Sequence, residues 1–213
     1  MDAVAGILRV INGKIALMAA VTAPLVVLFH ELAHVFVLEG AGIDARLYGF
    51  SMGMPVGYSW DFKGLEAAAS FYHINGRAIA YAALAGPVVT LFIAVGGLMA
   101  YRYENARIAW GGALSALALR MMGITEFMPR FLDGTMSASD EAIAAHFLGL
   151  PLSSFYWPSL VLGYVSIFLL YGVVEKGQRF SHFLSAMMGG TIGYFGVDIL
   201  ANVLVFRPEV WGR

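Results

Sequence analysis

The sequence contains no cysteine and few charged residues. Charged side chains make up 13% of the 213 residues, and the formal net charge is −1. Without cysteine, the chain cannot form a disulfide, a thiolate metal site or a cysteine nucleophile. Without a surplus of positive charge, it lacks the basic surface that binds nucleic acid, so no nucleic-acid partner is expected.

Apolar residues take the place of the missing charges. Hydrophobic residues make up 60% of the chain, whereas ordinary soluble domains are about half apolar and about a quarter charged. So few charges would cover a water-facing surface poorly, but a lipid bilayer is itself an apolar solvent. The composition therefore predicts an all-α polytopic integral membrane protein whose partner is the bilayer.

Five apolar stretches are long enough to cross the hydrocarbon, which takes about 20 residues as a helix. They cover residues 15–38, 78–100, 108–128, 155–174 and 182–206. The sequence therefore predicts about five transmembrane helices.

Two of the connections between these stretches have a character of their own. Residues 41–76 are rich in glycine and aromatic residues in short alternating stretches, which predicts a short β-rich hairpin or loop at the membrane surface. In the third connection, Ser139 followed by Asp140 and Glu141 is typical of a helix start, and Pro151 of a helix stop. A short helix is predicted between them.

The first apolar stretch carries an H-E-x-x-H motif at residues 30–34. Four residues apart on a helix, His30 and His34 share one face and can hold one zinc ion. Zinc lowers the pKa of a bound water, and the adjacent Glu31 can take the proton of that water, so that the hydroxide attacks a peptide carbonyl. The motif predicts His30 and His34 as metal ligands and Glu31 as the catalytic base.

The surroundings of the motif matter as much as its spacing. The pattern arises by chance in roughly 0.5% of chains of this length. Inside a membrane span, however, each buried charged group costs about 3 kcal/mol unless something compensates. A bound dication compensates directly, which favours a metal site over a chance match.

A zinc site of this type needs a third protein ligand and an open fourth position. No third histidine follows His34 at short spacing, so the ligand must come from another span or its edge. The acidic candidates are Asp133, Asp140, Glu126 and Asp198.

Three features in order resemble the site-2 protease family of intramembrane zinc metalloproteases. They are HELAH in an early span, the following GIDARLYGFSMGMP, and LAGP at residues 84–87 with a later LDG at residues 132–134. The resemblance covers roughly residues 20–140, and its specific part is the pairing of H-E-x-x-H with LDG. It implies a Zn²⁺ cofactor, a membrane-protein substrate and Asp133 as the third ligand. Asp140 is the alternative, because it heads a predicted helix as the family's ligand aspartate does.

The resemblance also implies the organisation of the chain. Residues 1–213 are expected to form a single transmembrane metalloprotease domain, with the core motifs in 20–140 and C-terminal helices in 155–206. The segment 41–76 leaves no room for an inserted PDZ domain, as in compact members of the family. A bacterial inner membrane is the expected location.

Two glycine patterns have both a functional and a structural interpretation. Gly86 and Pro87 lie in the middle of the second span, where proline removes a helix hydrogen bond. The pair either opens the helix for substrate binding or forms a kink that neighbouring helices tolerate. Gly189 and Gly193 make a G-x-x-x-G pattern typical of close helix packing, within the bundle or between protomers of a homo-oligomer.

Two other classes of function compete with the protease. A membrane metal-ion transporter also uses intramembrane histidine and carboxylate, but it needs several exchangeable sites and usually repeated halves. The sequence has one such cluster and no repeat. A catalytically inactive membrane scaffold would not require Glu31, which is intact.

Overall fold

A computed structural model describes residues 10–48, 51–53, 62–103, 107–126 and 139–200. The elements in chain order are α1 (Gly13–Gly40), β1 (Arg46–Tyr48), β2 (Ser51–Gly53), α2 (Phe62–Phe71), α3 (Gly76–Ala100), α4 (Arg107–Glu126), α5 (Asp140–Leu148), α6 (Ser153–Gly172) and α7 (Arg179–Leu200).

Four helices in the described part of the chain are long and apolar enough to cross a membrane. They are α1, α3, α4 and α6, and each overlaps one of the predicted spans. The fifth predicted span overlaps α7, a 22-residue helix that is not among these four. The end of that predicted span, residues 201–206, lies outside the described residues. The helices have the length and composition of a helical membrane protein.

The segment between α1 and α3 contains both a hairpin and a helix. β1 and β2 pair antiparallel, with Leu47 opposite Met52. The helix α2 was missed by the sequence prediction of a hairpin or loop over residues 41–76. Its buried residues Leu65 and Ala68 are three apart, so one face of this short helix packs on the core.

The helix α5 begins where Ser139 predicted, and it ends at Leu148, before the predicted stop at Pro151. Ser139 has an extended backbone, and its hydroxyl accepts a hydrogen bond from the Ala142 N–H at 3.2 Å. The helix ends at Leu148, and Gly149 follows with a φ of 65°. A side-chain cap at the start and a left-handed glycine after the end are the usual way to satisfy the terminal backbone groups.

The chain divides into two compact units. The first contains residues 1–27, 90–120 and 163–197, and the second contains residues 28–89, 121–162 and 198–213.

The second unit has a core that brings α5 to α1. Leu38 of α1, Leu65 of α2, Ile79 of α3 and Ile143 of α5 are fully buried in one cluster. Van der Waals packing of these side chains holds the four helices together, as between membrane helices. Because Ile143 lies one turn after Asp140, this core also sets where the first turn of α5 lies.

Candidate metal centre

The two histidines of the H-E-x-x-H motif lie side by side on α1. Their ring centroids are 4.8 Å apart, with the ring planes nearly perpendicular. This follows from the four-residue spacing, since one helical turn brings residues i and i+4 to the same face. His34 is almost completely buried, with 1% of its surface exposed, and His30 is partly buried.

Asp140, the first residue of α5, faces both imidazoles. Its Oδ2 lies 3.2 Å from His30 Nε2, and its Oδ1 lies 3.6 Å from His34 Nε2. One ligand atom from each residue lies within 4.8 Å of the other two. These three side chains form a group that could hold a metal ion.

The separation of Asp140 from each histidine is closer to that of two ligands on one metal than to that of a direct ion pair. A direct charge-assisted N–H···O bond spans about 2.7–2.9 Å. Ligand atoms on a tetrahedral zinc, each about 2.0–2.2 Å from the metal, lie about 3.3–3.5 Å from one another. The observed 3.2 and 3.6 Å both exceed the direct bond and lie close to this range.

A backbone carbonyl of α3 orients His34. Its Nδ1 lies 2.7 Å from the Ala82 carbonyl oxygen. A carbonyl can only accept, so Nδ1 carries the proton and donates it. In the neutral imidazole this leaves the Nε2 lone pair directed towards Asp140 for a metal, an arrangement usual for metal-binding histidines.

Gly86 of α3 provides the space beside the ligand atoms. A Cβ built on Gly86 would lie 2.6 Å from His30 Nε2 and closer still to His34 Nε2. Real Cβ atoms do not approach other atoms so closely, so a side chain at residue 86 would occupy the space next to both nitrogens. The donor set and this cradle together fit a metal ion.

The helix α3 runs without a break through Gly86 and Pro87, from Gly76 to Ala100. The sequence had left open a break that admits substrate or a kink within a continuous helix, and the observed helix is continuous. Pro87 is buried. Its role in substrate binding, and that of Gly86, stay predictions.

Two acidic side chains lie next to the ligands in the sequence. Glu31 follows His30 on α1 and is partly exposed. Glu141 follows Asp140 on α5 and is 1% exposed. Sequence reasoning did not single out Glu141 as a buried group, since a glutamate in the first turn of a short helix usually faces water.

The other sequence candidates for the third ligand are not part of the described site. Asp133 lies outside the described residues. Glu126 and Asp198 lie in described helices, but their side chains are not described. His146 is engaged elsewhere, because its Nε2 lies 2.7 Å from Glu66 Oε1. Among the described residues, only Asp140 joins the two histidines in a potential metal-binding group.

The fold and site thus define a helical protein with four described helices long and apolar enough to cross a membrane, and with a candidate His-His-Asp metal centre. Comparisons of the chain with protein-family models, curated proteins and solved structures find no match. The resemblance to the site-2 protease family therefore depends on the sequence motifs.

Proposed function

We propose that the protein is an intramembrane zinc metalloendopeptidase, which hydrolyses peptide bonds in or near the transmembrane segments of other proteins. The observation that carries this proposal is the convergence of His30, His34 and Asp140, with Glu31 next to them on a helix apolar enough to span a membrane.

The ligand set fits zinc, and the H-E-x-x-H spacing is what favours zinc over other metals. Two imidazole nitrogens and one carboxylate are typical of catalytic zinc sites, which take three protein ligands and keep a fourth position open. His30, His34 and Asp140 would hold the ion. When bound, zinc supplies Lewis-acid activation of water and of a peptide carbonyl.

Glu31 is the proposed general base. Its side chain begins one residue from a proposed ligand, and the residue is only partly buried. The Glu31 carboxylate accepts a proton from the attacking water and then donates it to the nitrogen of the departing amine. Proton transfer by a positioned carboxylate contributes about 10²–10⁴-fold to such reactions.

The surface of α1 around the motif fits an apolar surrounding. Phe29, Leu32 and Phe36 are 53%, 38% and 80% exposed. Their spacing of three and four residues places them along one face of the helix, on the side away from His30 and His34. Contact of this face with lipid is compatible with a metal site inside a membrane.

The decisive test is Glu31→Gln in the purified full-length protein. In liposomes containing a labelled single-span peptide, the variant should bind as much zinc as wild type and cleave at least about 100-fold more slowly, because glutamine cannot accept the proton. Cleavage by Glu31→Gln at the wild-type rate would overturn the proposal. So would zinc flux across the liposome membrane without any cleavage, which is the behaviour of a transporter.

The third ligand is tested separately, by measuring zinc affinity in Asp140→Asn and in Asp133→Asn. Asp140→Asn should weaken zinc binding by more than about 100-fold, since even changes behind the ligands cost about 10–100-fold. Asp133→Asn serves as the matched control and should bind zinc like wild type. The opposite pattern would assign the ligand to Asp133.

A further inference from the structure

The first compact unit contains two adjoining cavities near the ends of its helices. One has a volume of about 390 Å³ and a polar lining that includes Arg102, Arg107 and Glu175. The other has a volume of about 540 Å³ and is lined mainly by apolar side chains, among them Met99 and Phe168. Arg102 lines both cavities, and so does Val173.

The polar cavity lies at the level where membrane-spanning helices end. The candidate span α3 ends at Ala100, α4 begins at Arg107, and α6 ends at Gly172. The ends of spans lie in the head-group region of a bilayer. Of the two cavities, the polar one therefore lies beside lipid head groups, while residues of α3 and α6 extend the apolar one towards the hydrocarbon.

Aromatic packing holds Arg107 in place. Its guanidinium lies 5.1 Å from the centre of the Tyr101 ring, a cation–π arrangement. The Tyr101 ring packs on Trp110 at 5.3 Å, and Trp110 Nε1 donates a hydrogen bond to the Leu170 carbonyl at 2.8 Å. A cation held in this way loses little conformational entropy when it binds an anion.

The two arginines have charge available for a ligand. No ion pair joins Arg102 or Arg107 to an acidic residue within the described ranges, and the buried Nε of Arg107 has no hydrogen-bond partner there. Arg179 differs, because its Nε and Nη2 donate to the Val174 and Gly172 carbonyls, each at 2.9 Å. It stabilises the end of α6 instead.

Among its described lining residues, the polar cavity also contains one acidic group. Glu175 Oε2 accepts a hydrogen bond from Gln178 Nε2 at 3.2 Å, which leaves further lone pairs on the carboxylate. In the part of the chain that the structure describes, the lining therefore combines two cations with one anion. A simple anion such as phosphate matches only part of this pattern.

We infer that the two cavities bind one phospholipid whose head group carries both a phosphate and a primary ammonium, as phosphatidylethanolamine does. Arg102 and Arg107 bind the phosphate, because guanidinium groups form strong paired hydrogen bonds to phosphate oxygens. Glu175 accepts hydrogen bonds from the ammonium. An acyl chain fills the apolar cavity, where it replaces water against Met99 and Phe168.

The test uses the delipidated full-length protein in detergent, with each lipid added in turn and binding measured by native mass spectrometry. Phosphatidylethanolamine should bind about tenfold more tightly than phosphatidylglycerol, which has no ammonium. Its affinity should also be higher than that of phosphatidylcholine, whose quaternary ammonium has no N–H to donate. Equal binding of the three lipids would overturn the inference.

Substitutions assign the effect to the cavity. Arg102→Gln and Arg107→Gln should each weaken phosphatidylethanolamine binding by about tenfold, the usual scale for a charge-assisted contact. The matched control is Lys176→Gln, which removes an exposed positive charge next to Glu175, in the connection between α6 and α7, but lines neither cavity. If both arginine variants bind like Lys176→Gln, the inference is wrong. Arg102 is exposed, so its variant tests the site without disturbing the Tyr101 packing.

Two further measurements separate the parts of the head group. Glu175→Gln should reduce the preference for phosphatidylethanolamine over phosphatidylglycerol, and an unchanged preference would contradict ammonium recognition. Inorganic phosphate shares only the phosphate chemistry and should not displace the lipid at equal concentration. Complete displacement would show that the apolar cavity contributes nothing, and the lipid inference would fail.

Discussion

In one compact unit, Gly189 and Gly193 of α7 lie against the backbone of α1, whereas in the other unit Gly86 of α3 lies against two imidazole rings. A Cβ on Gly189 would overlap the Ala16 carbonyl, and a Cβ on Gly193 would overlap the Ala20 carbonyl. Both contacts are close backbone approaches of the kind that small residues permit between membrane helices.

The nearest atoms show what each glycine is for. The carbonyls that face α7 belong to a helix and serve packing. The atoms that face Gly86 are His30 Nε2 and His34 Nε2, the atoms available for a metal. A methyl group at Gly189 or Gly193 should push α7 away from α1. A methyl group at Gly86 should fill the space beside the two imidazole nitrogens. Stability and metal binding should therefore respond to different glycines.

The largest expected effect comes from Gly86→Ala. The new methyl group would lie beside both Nε2 atoms, so zinc affinity should fall by more than about 100-fold and proteolysis should fall with it. The metal-free fold should lose less stability than in Gly189→Ala, because the new methyl group meets the ends of two imidazole side chains rather than a backbone carbonyl, and because alanine is about 1 kcal/mol better than glycine inside a helix. Zinc content and thermal unfolding of the purified protein measure the two effects.

Gly96→Ala is the matched control in the same helix. A Cβ on Gly96 meets nothing within 4 Å, so this variant should keep full zinc affinity and activity. If Gly86→Ala binds zinc with wild-type affinity, the space beside the imidazoles is not required for metal binding. The contrast between Gly86 and the glycines of α7 would then fail.

A smaller effect, on stability, is expected from Gly189→Ala. Overpacking of a close helix contact costs about 1–3 kcal/mol in free energy of unfolding, and here the clash is with a backbone carbonyl that cannot rotate away. The protein that remains folded should bind zinc with unchanged affinity. Thermal unfolding in detergent and zinc titration test the two halves of this prediction.

The control for this variant is Gly196→Ala, also on α7. A Cβ on Gly196 meets nothing within 4 Å, so the substitution should leave stability unchanged or raise it by up to about 1 kcal/mol. If folded Gly189→Ala loses zinc as Gly86→Ala does, then the glycines of one unit do not serve packing alone, and the comparison between the two units fails.

Local signals predicted the helices well and the site in part. Apolar runs predicted the four candidate spans, and Ser139 predicted the start of α5. The helix α2 escaped because it is only 10 residues long and contains Gly64, a poor helix former. Its stability comes from packing of Leu65 and Ala68 on other elements, which periodicity over so few residues does not reveal.

The candidate third ligand, Asp140, shows what the sequence could not predict about the site. Helix spacing alone places His30 and His34 together, but Asp140 is more than 100 residues further along the chain. Only the tertiary packing of α5 brings its carboxylate to the imidazoles. Tertiary packing also brings Gly86 and the Ala82 carbonyl to the imidazoles. Their local sequence indicates only an ordinary span with a proline kink. The motif that favoured Asp133 contains no information about this packing.

The smallest expected effect comes from Ser139→Ala, which removes the hydroxyl cap of α5 while leaving Asp140 in place. Loss of such a cap costs about 1 kcal/mol. Because Asp140 is the first residue of the helix, fraying of this turn should weaken zinc binding by no more than about fivefold, the equivalent of that cost. Ser139→Asn should retain wild-type affinity, since asparagine caps helices as well as serine does. Wild-type zinc affinity and thermal stability in Ser139→Ala would mean that the core around Ile143 alone positions Asp140, without help from the cap.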